Sequence, residues 1–155
     1  MENNYFIIAR ALHIIAVVLW IGGVAFVTTV LIPAIRNNKS ADNRFNLFEM
    51  LEGKFSFQAK LTTLLTGLSG FYMLYVMNAW SSMQWWIHLM IFIWLIFTLV
   101  LFVLEPLFLH KWFHRQAEVN NERTFLVLQV MHIILLTISL IAIFGGVAGV
   151  HGLFY

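Results

Sequence analysis

Cysteine is absent from the 155 residues, proline occurs twice, and only 10% of the residues are charged. Without cysteine the chain has no disulfides and no thiolate ligands, so a metal or cofactor would depend on His, Met, Asp or Glu. Hydrophobic residues make up 61% of the chain, which is more apolar surface than a soluble domain of this length can bury. The composition therefore predicts an integral membrane protein.

Four apolar runs are long enough to cross a bilayer as helices, which takes about 20 residues each. Only helices suit these runs, because backbone polar groups in lipid must be hydrogen-bonded within the segment. We expect one all-α domain over residues 1–155, a four-helix bundle with a short interfacial helix around residues 43–53 in the first loop. The runs are Tyr5–Pro33, roughly Phe57–Asn78, Trp85–His110 and Phe125–Val150.

Lysine and arginine are concentrated beside the first and third loops. The positive-inside rule places these loops in the cytoplasm and both termini outside. No soluble segment carries a basic stripe interleaved with aromatic residues, so nucleic acid is not an expected partner. Arg36, Lys39, Arg44, Lys54 and Lys60 flank the first loop, Lys111, Arg115 and Arg123 flank the third, and Arg10 stands alone near the N-terminus.

Two histidines are predicted to lie at similar depth in the outer leaflet, on different helices. His13 falls within the first run and His88 near the outer start of the third, by the helical rise of about 1.5 Å per residue. Two such imidazoles are what axial ligation of a haem iron needs. Arg10 precedes His13 by one turn, where it would pair with a haem propionate. The competing interpretation is that each histidine hydrogen-bonds a neighbouring helix and contributes about 1 kcal/mol.

Other polar and small residues within the runs leave several alternatives open. His132 has Gln129 on its helical face and suits a second haem, a quinone contact, a proton relay or an interhelix hydrogen bond. Gly145, in the outer half of the last run, would admit either a flat cofactor or another helix. Glu105, directly before Pro106, is expected to turn towards the interface, and the alternatives are a pair with Lys111 or a role in carrying protons. His110, His114 and His151 are expected at the membrane surfaces.

The stretch ALHIIAVVLWIGG resembles the first helix of a bacterial membrane superfamily. This superfamily contains the copper resistance protein D domain and the HemJ-type protoporphyrinogen oxidases. The resemblance implies that His13 binds haem b, that Trp20 belongs to the same site, and that the chain lies in the bacterial inner membrane. His88 stands near a family lysine and Thr124 stands in place of a family proline. The matching positions are Leu12, His13, Trp20, Gly22 and Gly23, with weaker similarity in FEMLEGKF, TGLSGFYML, WWIHLM and NNERTF.

Three hypotheses of function follow from these residues. The first is a b-type haem protein that transfers electrons, because iron with two histidine ligands has no open position. If it is an enzyme, it would be a membrane oxidoreductase that acts on quinol, superoxide or a porphyrinogen. The last of these would be the protoporphyrinogen oxidation of the HemJ type. Its redox partner would be a quinone or another redox protein. The second is copper binding or transport, since Met73, Met77 and Met83 offer thioethers near the histidines. The third is an assembly partner without a cofactor, and homo-oligomerisation is left open.

Overall fold

The structure, a computed structural model, describes residues 2–37, 41–109 and 121–154, and every regular element in these ranges is helical. This confirms the prediction of an all-α chain. The first helical segment consists of α1 (Glu2–Phe26), a π-helical stretch (Val27–Leu31) and α2 (Ile32–Arg36). The later elements are α3 (Ala41–Val76), a 3₁₀ turn (Ala79–Ser81), α4 (Trp85–Leu99) with a π-helical continuation (Val100–Leu109), and α5 (Asn121–Val150).

Among the described residues, three helical stretches are long and apolar enough to cross a membrane, namely Asn4–Arg36, Trp85–Leu107 and Glu122–Val150. Large apolar side chains on their outer faces are exposed, among them Val18, Leu95 and Val147. Such faces suit a lipid environment, because lipid tails solvate apolar side chains as a protein core does. These three helices are compatible with a multi-pass membrane protein.

Helix α3 differs from these three stretches in composition and in length. Hydroxyl side chains and glycines follow its buried face, and Lys60 lies within it. Its first turns cover residues 43–53, where we expected a separate interfacial helix. The prediction of helix there is confirmed, but the predicted break is wrong. No proline interrupts α3, and Gly53 alone does not end a helix that packs along a neighbour.

Both prolines of the chain coincide with π-helical backbone. Pro33 is the second residue of α2, which follows the stretch Val27–Leu31, and Pro106 lies inside the stretch Val100–Leu109. A proline in a helix has no N–H to donate and its ring clashes with the carbonyl four residues earlier. The wider π-helical turn relieves that clash, so each helix continues past its proline.

Helices α1 and α3 pack against each other in antiparallel fashion. His13 contacts the turn at Ser69, the Leu19 carbonyl accepts a hydrogen bond from Gln58, and Gly23 lies against the ring of Phe55. Helix α4 runs antiparallel to α3, since Trp94 bonds Thr63 and Glu105 bonds Ser56. Helices α1 and α4 therefore run in the same direction.

Two clusters of buried side chains hold the helices together. The first joins α1, α3, α4 and α5 in the middle of the molecule, and Trp20 packs edge-on against Phe97 there, with ring centroids 4.9 Å apart. The second surrounds the end of the first helical segment, where Phe48 packs edge-on against Phe125 at 5.5 Å. The second cluster also contains Val27, Ile32 and Ile35.

Candidate functional site around His13

His13 is half-buried on α1 and hydrogen-bonds the neighbouring helix. Its Nδ1 lies 3.0 Å from the carbonyl oxygen of Thr66 and 3.1 Å from Oγ of Ser69, both on α3. A carbonyl oxygen can only accept, so Nδ1 carries the proton and donates it. The Ser69 hydroxyl donates to the Leu65 carbonyl and is therefore an acceptor for His13. These bonds leave Nε2 of His13 as the nitrogen with a free lone pair.

Gly70 makes room for this imidazole. A Cβ atom at position 70 would lie 3.1 Å from Cε1 of His13 and 3.4 Å from Nδ1. The ring could not keep its present position against a larger side chain, because 3.1 Å is closer than carbon atoms normally approach. The close contact between α1 and α3 at this level depends on glycine.

His88 is level with His13 but points in another direction. The contact between Trp20 and Phe97 sets the register of the parallel helices α1 and α4. His13 precedes Trp20 by seven residues and His88 precedes Phe97 by nine, so their depths differ by about 3 Å. His88 is exposed, and its Nδ1 bonds the Gln84 carbonyl of its own helix at 3.1 Å. The structure does not bring the two rings together.

Arg10 is exposed on the turn of α1 that precedes His13. Positions three apart on a helix lie on neighbouring parts of its surface. Its guanidinium is therefore available to an anionic group that approaches His13 from the N-terminal end of α1.

Trp20 and Gly145 lie within helix contacts. Trp20 is 3% exposed, and within the described residues its Nε1 has no hydrogen-bond partner. A Cβ atom at Gly145 would meet the indole of Trp85 at 2.7 Å and Cβ of Trp86 at 3.0 Å. The space beside Gly145 is thus filled by tryptophan, as the helix-packing alternative expects.

His132 is half-buried on α5, and its Nδ1 bonds the Leu128 carbonyl of the same helix at 2.8 Å. Its neighbour Gln129 accepts a hydrogen bond from Arg36 at 2.5 Å. His151 is exposed and bonds Val147 at 2.8 Å. His110 and His114 lie outside the described residues. Within the described ranges, no three His, Cys, Asp or Glu side chains converge as a metal site.

Glu105 is buried and ion-paired with Lys60 of α3. Ser56 donates to both of its carboxylate oxygens, at 2.5 and 2.6 Å, and Lys60 lies 3.0 Å from Oε1. Only 12% of the Glu105 side chain is exposed, against 31% for Lys60. Ser56 and Lys60, four residues apart on one face of α3, offer the carboxylate a hydroxyl group and an ammonium group. That spacing was the signal in the sequence that could have revealed the pair.

A polar cavity of about 310 Å³ lies where the first helical segment ends and α5 begins. We name it the Arg36 cavity. The sequence does not reveal this cavity, because its lining residues come from two distant parts of the chain that only the packing of the helices brings together. It is lined by Pro33, Arg36, Asn37, Glu122, Phe125 and Gln129.

Comparisons with models of protein families, with curated proteins and with solved structures find no match to this chain.

Proposed function

We propose that the chain is a b-type haem protein of the bacterial inner membrane that transfers electrons, with Nε2 of His13 as an axial ligand of the iron. The observation that carries this proposal is the hydrogen bond from Nδ1 of His13 to the Thr66 carbonyl. Histidines that bind metals commonly donate their other ring nitrogen to a carbonyl or carboxylate, which fixes the tautomer and the ring plane. Two acceptors on α3 give His13 this arrangement.

The side chains around His13 include the chemical groups that bind a haem. Neutral imidazole is the usual protein ligand of b-type haem, and Arg10 supplies a cation for a propionate. A haem bound there would supply one-electron redox chemistry. Thr66 and Ser69 would hold the imidazole in place. In a membrane, lipid would cover the exposed apolar faces of the helices and would keep water away from the haem.

His88 is the second ligand that we propose, and its depth supports this assignment. Its exposed ring lies on the face of α4 about 200° from Trp86, which is buried. Ligation of the same iron by both histidines would therefore require the His88 ring to leave the outward face. The His88→Ala variant tests whether His88 is a ligand of the iron.

We further propose four membrane crossings, with both termini outside. Three of the crossings are the apolar stretches described above, and residues 57–76 of α3 supply the fourth. Support comes from the antiparallel contact of this segment with α1, which places it beside a spanning helix. Eight of the nine Lys and Arg residues flank the first and third loops, as the positive-inside rule requires.

The test is purification after expression with added haem precursor, followed by reduced-minus-oxidised spectra and iron and copper analysis. We expect a b-type spectrum with iron bound, loss of the spectrum in His13→Ala, and a change from low-spin to high-spin in His88→Ala. His151→Ala is the matched control, because it removes an exposed histidine that bonds only its own helix. Protein that binds copper without iron would favour the copper hypothesis and contradict this one.

A further inference from the structure

The Arg36 cavity lies at the ends of two stretches that are long and apolar enough to cross a membrane. Arg36 is the last residue of one apolar stretch, and Glu122 is the first residue of another. Residues at such boundaries meet the polar head groups of phospholipids, while the stretches themselves meet the acyl chains. This placement follows from the positions of Arg36 and Glu122 at the ends of the two stretches, and it holds for either orientation of the chain and with or without a haem.

The cavity presents a cation and an anion that are not paired with each other. Among the described residues, Arg36 donates to the neutral amide of Gln129, and no carboxylate lies within ion-pair distance of it. Glu122 lines the same cavity and is exposed. A half-buried guanidinium binds phosphate oxygens through charge-assisted hydrogen bonds, and a carboxylate accepts hydrogen bonds from an ammonium group.

The volume suits a head group. Ligand sites in proteins usually measure about 300–1,000 Å³, and this cavity, at about 310 Å³, lies at the lower end of that range. The fully buried ring of Phe125 forms part of its wall. Leu126 and Val130, the next residues on α5 after Phe125 and Gln129, are both 47% exposed. They offer an apolar path for acyl chains that leave the cavity towards the bilayer.

We propose that the Arg36 cavity binds the head group of phosphatidylethanolamine, with the phosphate on Arg36 and the primary ammonium on Glu122. The ammonium of ethanolamine has three N–H donors for the carboxylate. Choline has a cation without donors, and phosphatidylglycerol has hydroxyl donors without a cation, so neither gives Glu122 a hydrogen bond from a charged donor. The site therefore distinguishes lipids by the chemistry of the group beyond the phosphate.

The test is native mass spectrometry of delipidated protein with an equimolar mixture of phosphatidylethanolamine, phosphatidylglycerol and phosphatidylcholine of equal chain length. We expect the ethanolamine lipid to be bound about tenfold more than either other lipid, since one charged hydrogen bond is worth at least that factor. Glu122→Gln should reduce the preference to within about twofold, and Arg36→Gln should weaken all three lipids about tenfold. Lys54→Gln, which removes an exposed cation of α3 that does not line the cavity, should leave the binding of all three lipids unchanged.

Equal binding of the three lipids by the unaltered protein would overturn the proposal, and so would a preference that survives in Glu122→Gln. Competition with free phosphoethanolamine distinguishes a lipid ligand of the cavity from a soluble ligand with the same head group. We expect free phosphoethanolamine to leave the bound lipid in place at equal concentration, and displacement would overturn the assignment to a lipid. If Arg36→Gln does not fold, as judged by its helical circular dichroism, the exposed Glu122→Gln decides alone.

Discussion

At the scale of single residues, His13 is distinguished from the other described histidines by the partner of its Nδ1. His88, His132 and His151 each bond the carbonyl four residues earlier on their own helix. His13 instead bonds two groups on α3. A hydrogen bond within one helix gives Nδ1 a partner but does not fix the position of the ring relative to a neighbouring helix. The hydrogen bonds of His13 to Thr66 and Ser69 fix its ring between α1 and α3.

The pair of Glu105 and Lys60 leads to a prediction about stability. Lys60→Met should destabilise the protein by about 3–5 kcal/mol, because it leaves a buried carboxylate without a cation. Glu105→Met should cost less, since the Lys60 side chain is 31% exposed and its ammonium can reach more polar surroundings. The apparent melting temperature in detergent measures both effects.

The double variant Lys60→Met/Glu105→Met is the control for this pair. It removes both charges, and we expect it to be more stable than Lys60→Met alone. A double variant that loses the sum of the two single effects would show that the groups are not coupled.

At the scale of helices, the packing of α4 on α5 depends on tryptophan side chains that lie against glycines. A Cβ atom at Gly149 would lie 2.5 Å from the indole of Trp86, whereas one at Gly22 would meet nothing within 4 Å. Gly149→Ala should therefore cost about 1–3 kcal/mol through overpacking. Gly22→Ala should change stability by less than about 0.5 kcal/mol.

Thermal unfolding of the two alanine variants in the same detergent checks this prediction. Equal melting temperatures would mean that α4 and α5 do not pack through Gly149. The comparison is well matched, because both substitutions add one methyl group to a helical glycine.

The sequence predicted the helices well and their contacts less well. Apolar runs determine where helices form in lipid, so the expected runs agree with the observed helices to within a few residues, apart from the first half of α3. The continuity of α3 through residues 41–56 was not predictable from hydrophobicity, because polar and apolar residues alternate there while packing holds the helix. Depth along a helix follows from counting, which placed His13 and His88 level. The direction of the His88 ring depends on which face of α4 is buried.

At the scale of the whole molecule, the absence of cysteine makes the proposed topology directly measurable. Single cysteines introduced at exposed positions have no native thiol to compete with them. Ser82→Cys, in the turn between α3 and α4, should react with a membrane-impermeant maleimide added to intact cells. Asn37→Cys, at the end of α2, should react only after the cells are opened. The opposite pattern would contradict termini on the outside.

The haem content of two purified variants measures whether His13 holds a haem iron, as we propose. We expect about one haem per chain in the unaltered protein, none in His13→Ala, and an unchanged content in His151→Ala. Haem retained in full by His13→Ala, with a spectrum identical to that of the unaltered protein, would contradict this proposal.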